Sequence, residues 1–487
     1  MLSFIVFLPL LGALAIALLP RAEEGRAREL AASVTLAVFL ASLILFSLFD
    51  RSEGGFQFTE QFRWIRAGEA GFDIHYFLGV DGLSIVMLVL ATFLFVLAIF
   101  VSWGIDVRPK EYFAWMLILE TGVLGVFTSL DLVLFFLFWE VELVPMYMLI
   151  SIWGTGRKVY SAMKFVLYTI SGSALMLAGI LILGFAAGTF NMVALAQMEI
   201  TEALIPLPAV FFLIFAAFAI KLPVFPLHTW LPDAHTDAPT AVSVILAGIL
   251  LKMGGYGMIR LCVSILPDVA HDYAVWLTAF AAVNVVYGAI VTLRQTDLKR
   301  LIAYSSISHM GYVLLGIFAL GQVSMTGATL QMFTHGTITG LLFVMVGLVY
   351  DRAHTRDISV LSGLAPRMPV IATGFVIAGL ASLGLPTMSG FVSELLVFLG
   401  SVKSYTIPTL FAVAGILLTA GYILWMLERV FFGPPNPRWA DLTDATTWWE
   451  RLPMVGLVAS ILAIGIYPAT LVPVIEAGIT PIVARLG

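Results

Sequence analysis

Residues 217–230, AFAIKLPVFPLHTW, decide how this chain is read. Lys221 stands inside a long apolar run, and Pro223 and Pro226 follow it closely. A lysine at bilayer depth costs ~2.5–3.5 kcal/mol on insertion scales, so it needs a partner or a task. Each proline removes a helix hydrogen bond and frees a carbonyl four residues back, that of Ala219 for Pro223 and that of Leu222 for Pro226. Charge beside a broken helix in mid-membrane marks proteins that handle ions.

The rest of the chain fits a membrane setting. Of 487 residues, 61% are hydrophobic and 11% charged, with mean hydropathy +1.03. A soluble domain carries about twice that share of charge. The apolar runs are continuous rather than alternating, which points to helices of ~20 residues and away from a β-barrel. A net charge of −5 speaks against a nucleic-acid partner. The single cysteine, Cys262, excludes a disulfide within the chain and an iron–sulfur cluster held by its cysteines. No dinucleotide fingerprint, P-loop or haem motif occurs, so no cofactor and no redox chemistry are expected on this chain. The opening MLSFIVFLPLLGALAIALLPR has no basic leader and reads as a retained first helix.

The expected fold is an all-α polytopic membrane protein of about 14 spanning segments, over 2–19, 29–48, 82–103, 112–129, 131–152, 162–187, 209–230, 240–263, 273–293, 300–320, 325–349, 369–400, 408–432 and 455–475. The twelfth segment is too long for one straight span and carries Gly384-Leu385-Pro386, so it too should be broken. Loops after odd-numbered segments hold most of the basic residues, among them Arg26, Arg108, Arg157, Lys299, Arg356 and Arg438. The other side has only Arg51, Arg63, Arg66, Arg260 and Lys403. The positive-inside rule then makes the first set cytoplasmic and puts both termini outside, in the periplasm of a bacterial inner membrane. Residues 50–72 suggest an external hairpin. Residues 433–454 read as an interfacial segment, with Trp439, Trp448 and Trp449 at headgroup level.

A faint repeat runs through the chain. Asp131-Leu132 recurs as Asp297-Leu298, Leu222-Pro223 as Leu385-Pro386, and the GILL at Gly248 as that at Gly415. Offsets near 165 residues map segments 5, 7 and 8 onto 10, 12 and 13. A five-segment offset inverts the second copy, giving two inverted five-helix repeats with broken helices 7 and 12. The domain plan is 1–111 for the first three helices, 112–263 and 273–432 for the repeats, and 433–487 for the interfacial segment and last helix.

The ionisable residues inside spans are Glu120, Glu140, Glu142, Lys221, Lys252, His309, His335 and Glu394. Their default reading is an ion path. Glu140 is expected to pair with Lys221. Glu142 is ~200° round an ideal helix from it and so should face elsewhere. Glu120 and Glu142 are secondary candidates, for which a packing role is an equal reading. A unit pair at ~4 Å with effective dielectric ~20 is worth ~4 kcal/mol, enough to switch a buried lysine between charged and neutral. His309 and His335 have hydroxyl residues around them, a wettable lining suited to proton relay. Glu394 follows the break in segment 12 and suits a terminal proton site. The run from His228 through Asp233 and His235 to Asp237 reads as a cytoplasmic loop. Caps and turns explain it best, a proton-gathering entrance is second, and its spacing fits no standard metal pattern.

Three long motifs, FFLFWEVELVPMYMLISIWG, KLPVFPLHTWLPDAHTDAPTAVSVILAGILLKMGGYG and QTDLKRLIAYSSISHMGY, resemble the antiporter-like proton-pumping subunits of NADH–quinone oxidoreductase (respiratory complex I). WEVELVPMY and the Glu394 ending are similar to the subunit M branch, mitochondrial chain 4. The resemblance implies a proton path over Glu140, Lys221, Lys252, His309, His335 and Glu394. It also implies a membrane partnership with other complex I subunits, neighbouring antiporter-like ones included, with FMN, iron–sulfur clusters and quinone on partner chains. An Mrp-type sodium/proton antiporter subunit is the alternative in the same wider family, and a passive scaffold the alternative in another class.

Overall fold

The computed structural model describes residues 1–66, 73–200 and 203–486. The apolar segments form helices in the expected order. The first are α1 (Leu2–Leu18), α2 (Ala27–Leu48), α3 (Gly82–Val101), α4 (Pro109–Thr128), α5 (Leu132–Val141), α6 (Leu143–Trp153) and α7 (Lys158–Ala187). Next come α8 (Leu207–Lys221), α9 (Trp230–Asp237), α10 (Thr240–Val263), α11 (Pro267–Thr292), α12 (Leu298–Phe318) and α13 (Gln322–Ala353). The last are α14 (Pro369–Ser382), α15 (Ser389–Ser401), α16 (Thr406–Phe432), α17 (Trp448–Ile466) and α18 (Val472–Val483). Among the described residues, 11 helical stretches are long and apolar enough to cross a membrane, and shorter apolar helices accompany them. The hydrophobic windows of α10 and α13 are 100% buried, whereas those of α2 and α17 are 28% and 22% buried. The first two are therefore the centre of the bundle, and the others offer broad apolar faces to lipid or to neighbours.

Helix breaks fall where proline removes a donor. α8 stops at Lys221, and the carbonyl that Pro223 frees on Ala219 accepts instead from Val224 N at 2.8 Å. The indole of Trp230 donates to Ile220 O at 2.9 Å. The corresponding break parts α14 from α15, with Leu385 N donating to Leu380 O at 3.0 Å and Gly384 at φ +75°. Two further breaks differ from expectation. Segment 5 is interrupted only at Glu142, whose backbone stays helical at φ −70° and ψ −23°, where Pro145 cannot donate to Val141 O. Segment 14 ends at Ile466 ahead of Pro468, and α18 follows as a separate helix. α10 stays continuous but contains π-helical turns at Leu246–Leu250 and Met258–Val263, on either side of Lys252.

The hairpin is present and longer than expected. β1 (Gln57–Arg66) pairs antiparallel with β2 (Asp73–Val80) in a register that sets Phe62 opposite Tyr76; residues 67–72 lie outside the described part of the chain. The amino terminus ion-pairs with Glu60, which places it on this hairpin face. Trp439 departs from its expected position. It is buried at 5% exposure and its indole donates to Val360 O at 3.3 Å, so it packs into protein, while Trp448 is exposed.

The repeat signal has a local structural counterpart. Asp131 caps α5 by accepting from Val133 N at 2.9 Å, and Asp297 caps α12 by accepting from Arg300 N at 3.0 Å. Asp131 forms an antiparallel bridge with Asn191, and Asp297 one with Asp357. Leu132 N donates to Phe190 O and Leu298 N to Arg356 O; Met192 N donates to Leu130 O and Ile358 N to Thr296 O. The bridge and backbone pairs, and the cap donors Leu134 and Arg300, are all related by the same offset as Asp131 and Asp297. Replacing Asp131 by Ala removes the acceptor for Val133 N, Leu134 N and His75 N together. It should destabilise the chain by ~1–2 kcal/mol, seen as a lower thermal midpoint in detergent.

Candidate functional site

The interior charges are held by helices that lost their regularity next to them. Lys221 is the last residue of α8, and its ammonium forms an ion pair with Glu142 Oε1. Both side chains are fully buried, at 1% and 0% exposure. The rings of Trp139 and Phe165 lie over the ammonium, each with its centroid 5.3 Å away. This corrects the expected Glu140–Lys221 pair. Glu140 is half-buried, and its Oε1 is enclosed without a hydrogen-bond partner. The two acids do lie on different sides, as their spacing requires, but the side that faces Lys221 is that of Glu142. Glu142 keeps Oε2 unpartnered, so its carboxylate has spare acceptor capacity.

A second group begins at Lys252 on α10. Its ammonium donates to Ala247 O, inside the π-turn, and lies 2.8 Å from His335 Nδ1 on α13. A charged lysine has only donors, so Nδ1 must accept and Nε2 carries the imidazole proton; that Nε2 is buried and unpartnered. The rings of His335 and His309 are 5.5 Å apart, centroid to centroid. His309 Nδ1 is 3.3 Å from Glu394 Oε1, and its Nε2 is 3.2 Å from Ser382 Oγ. Ser382 and Glu394 flank the α14–α15 break from opposite ends. Gly384 serves this break twice: its φ of +75° favours glycine, and a Cβ there would sit 2.8 Å from Glu394 Oε2. Thr334 and Ser393, 2.9 Å apart, join Gln331 in lining the same region.

Lys252, His335, His309 and Glu394 are thus brought together, and Lys221 is joined to Glu142 as a separate group. Glu120 is fully buried on α4 with neither carboxylate oxygen bonded. The run from His228 to Asp237 is not an open loop, since α9 forms within it and packs inward. His228 Nε2 is 3.1 Å from Tyr287 OH, and Asp233 takes Lys164 at 2.8 Å. His235 is fully buried, stacked on Phe343 at 4.8 Å, with both ring nitrogens unpartnered. Among the described residues no cluster of three or more histidine, cysteine, aspartate or glutamate side chains could hold a metal ion.

A family model described as "NADH:quinone oxidoreductase/Mrp antiporter, TM" matches residues 129–419, the region that holds all six main site residues. NADH-quinone oxidoreductase subunit M of Rhodobacter capsulatus is 43% identical, over 99% of this chain and 96% of the relative. The chain belongs to the subunit M family of NADH–quinone oxidoreductase. It is an antiporter-like membrane subunit of that oxidoreductase complex. Among solved structures, a chain of respiratory complex I from Thermus thermophilus superposes with TM-score 0.88 at 29% identity, over 100% of both chains. A chain of the Mrp complex from a Dietzia species gives 0.86 at 20% identity, over 100% of this chain and 99% of that one, a likeness of fold alone.

Three features of this subunit M site escaped sequence reading. Glu142 as the partner of Lys221 was hidden because spacing along one helix separates the two acids without saying which of them meets α8. Lys299 is not a loop residue: it is buried at 4% exposure in the first turn of α12 and donates to Ala238 O at 2.6 Å. Ser382 and Gln331 carried no signal beyond their nearness to Pro386 and His335. Removing Glu142 strands a buried ammonium, a loss of ~3–5 kcal/mol for an ion pair broken at one end. E142A should accumulate poorly in the membrane and melt earlier in detergent, and E142A/K221M should recover most of that loss.

Proposed function

We propose that this subunit M family member moves protons across the membrane along Lys221, Lys252, His335, His309 and Glu394. The observation that carries the reading is the buried succession from Lys252 to Glu394, in which each group lies next to another that can give or take a proton. Burying so many ionisable groups is costly, and a structural role would need only closed pairs. The oxidoreductase setting supplies the energy elsewhere: electrons pass from NADH to quinone, with FMN and iron–sulfur clusters, on partner subunits. This chain contributes no redox step. Its neighbours are other membrane subunits of the complex, further antiporter-like chains among them.

Lys221 has two acids within electrostatic reach, Glu142 in contact and Glu140 beside it. A charge movement transmitted from a neighbour draws Lys221 from Glu142 towards Glu140. The altered field releases a proton from Lys252 to His335 and His309, and Glu394 discharges it. The chain spans an inner membrane about 14 times, in two inverted five-helix repeats, with both termini on the periplasmic side. The Asp131 and Asp297 caps and their matching bridges support the repeats. The basic loops after odd segments support the orientation.

Replacing Glu140 by Gln, or Lys221 by Ala, in the assembled complex should lower NADH-driven proton uptake into inverted vesicles by roughly tenfold or more. Uptake at the wild-type rate in both variants would remove the gate. Uptake should not depend on sodium. An Mrp-like exchange would make it sodium-dependent, and a passive scaffold would leave it insensitive to either substitution.

A further inference from the structure

A cavity of about 450 Å³ opens on the hairpin face, between β1, the region around Met192 and α18. Its charged lining consists of one acid, Asp81, and two guanidiniums, Arg260 and Arg485. Arg485 is exposed, at the mouth, whereas Arg260 is only 6% exposed, at depth. Arg260 is tightly placed. It forms an ion pair with Asp81 Oδ1, and its guanidinium carbon lies 5.0 Å from the Phe56 ring centre and 5.2 Å from that of Tyr256. Its Nε is buried with no partner. Asp81 also accepts from Leu83 N at 3.1 Å and Ser84 N at 3.0 Å, so its charge is shared with the positive end of α3. The local balance is positive.

Arg260 stands on α10, eight residues after Lys252, or ~12 Å along the helix, with Tyr256 between them. The floor of the cavity at Arg260 is therefore only about two helical turns from the central lysine, and His335, His309 and Glu394 do not line it. Unlike histidine or lysine, arginine stays protonated throughout and cannot pass a proton on. Fixed arginines at pore constrictions exclude protons by charge. We propose that Arg260 is an electrostatic plug: it closes the direct route between the hairpin-face cavity and Lys252, so that protons leave sideways through the histidines and do not leak back. Asp81 and the Phe56 and Tyr256 rings hold the plug in place. This rests on the reading that Lys252 carries protons.

A unit charge at ~12 Å with effective dielectric ~20 changes local proton occupancy by about tenfold. The test uses inverted vesicles containing the whole complex. A proton gradient is built with NADH, electron flow is stopped with a quinone-site inhibitor, and the decay of the gradient is followed. R260M should keep NADH–quinone turnover and lose the gradient roughly tenfold faster. R260K should slow the decay relative to R260M without reaching the wild-type rate, since a buried lysine can give up its proton, passive potassium permeability should stay unchanged, and R260M/K252M should leak no faster than wild type. Decay of R260M at the wild-type rate overturns the plug. So does an equal rise in potassium permeability, which would make Arg260 a structural seal, and so does a leak that survives K252M. If R260M fails to assemble, R260Q gives the same comparison. K252M alone pumping at the wild-type rate would instead sink the proposed proton path.

Discussion

A charge inside an apolar bundle must be answered by another charge, a dipole or water, and the interior of this molecule is laid out by that constraint. Lys221 meets Glu142, Arg260 meets Asp81, and Lys252 is met by a carbonyl and an imidazole. These answers differ in kind. The arginine pair is fixed by several donors on the Asp81 carboxylate and by the flanking rings of Phe56 and Tyr256, although Arg260 Nε is unbonded, and a guanidinium does not give up its proton. The lysine pairs are open: Glu142, Glu140 and His335 each keep a buried atom with nothing bonded to it. Fixed pairs hold architecture, whereas open ones leave somewhere for a charge to go.

The helix irregularities serve the same constraint. A regular helix keeps its carbonyls for itself, so a side chain deep in the bundle finds no backbone acceptor. At the α8 end, the α14–α15 break and the π-turn before Lys252, that rule is relaxed locally. Lys252 takes the carbonyl of Ala247 that a π-turn makes available. At the two breaks the carbonyls of Ala219 and Leu380 accept from backbone N–H groups five residues on, and that of Ile220 from the Trp230 indole. The breaks leave Lys221 and Ser382 at helix ends, with Glu394 in the second turn of α15.

Hydrophobic run length and the placement of proline made most of the architecture legible in the sequence. The segment order and the interruptions at Pro223 and Pro386 follow from local chemistry. The companions of Lys252 were legible for a related reason, since mid-span ionisable residues have few alternatives. What escaped depended on angle and depth. Glu142 took the place of Glu140 because helical spacing separates the two acids but does not say which of them faces α8. Trp439 and Lys299 looked like surface residues by neighbourhood, yet a carbonyl from a distant loop draws each inward. Such contacts are set by how segments stack, which a single chain does not spell out.

The length of α13 has a consequence for depth. Its 32 residues span ~48 Å at ~1.5 Å per residue, well beyond a hydrocarbon layer of ~30 Å. At one end Arg352 ties it to Glu450 at 2.7 Å and to Asp444 O at 3.1 Å. His335 lies near the middle of this rod, so its height in the bilayer is set by the anchored end and not by its own surroundings. Lys252 is carried by a different helix with different ends. The 2.8 Å contact between them thus joins two central helices whose ends are held separately.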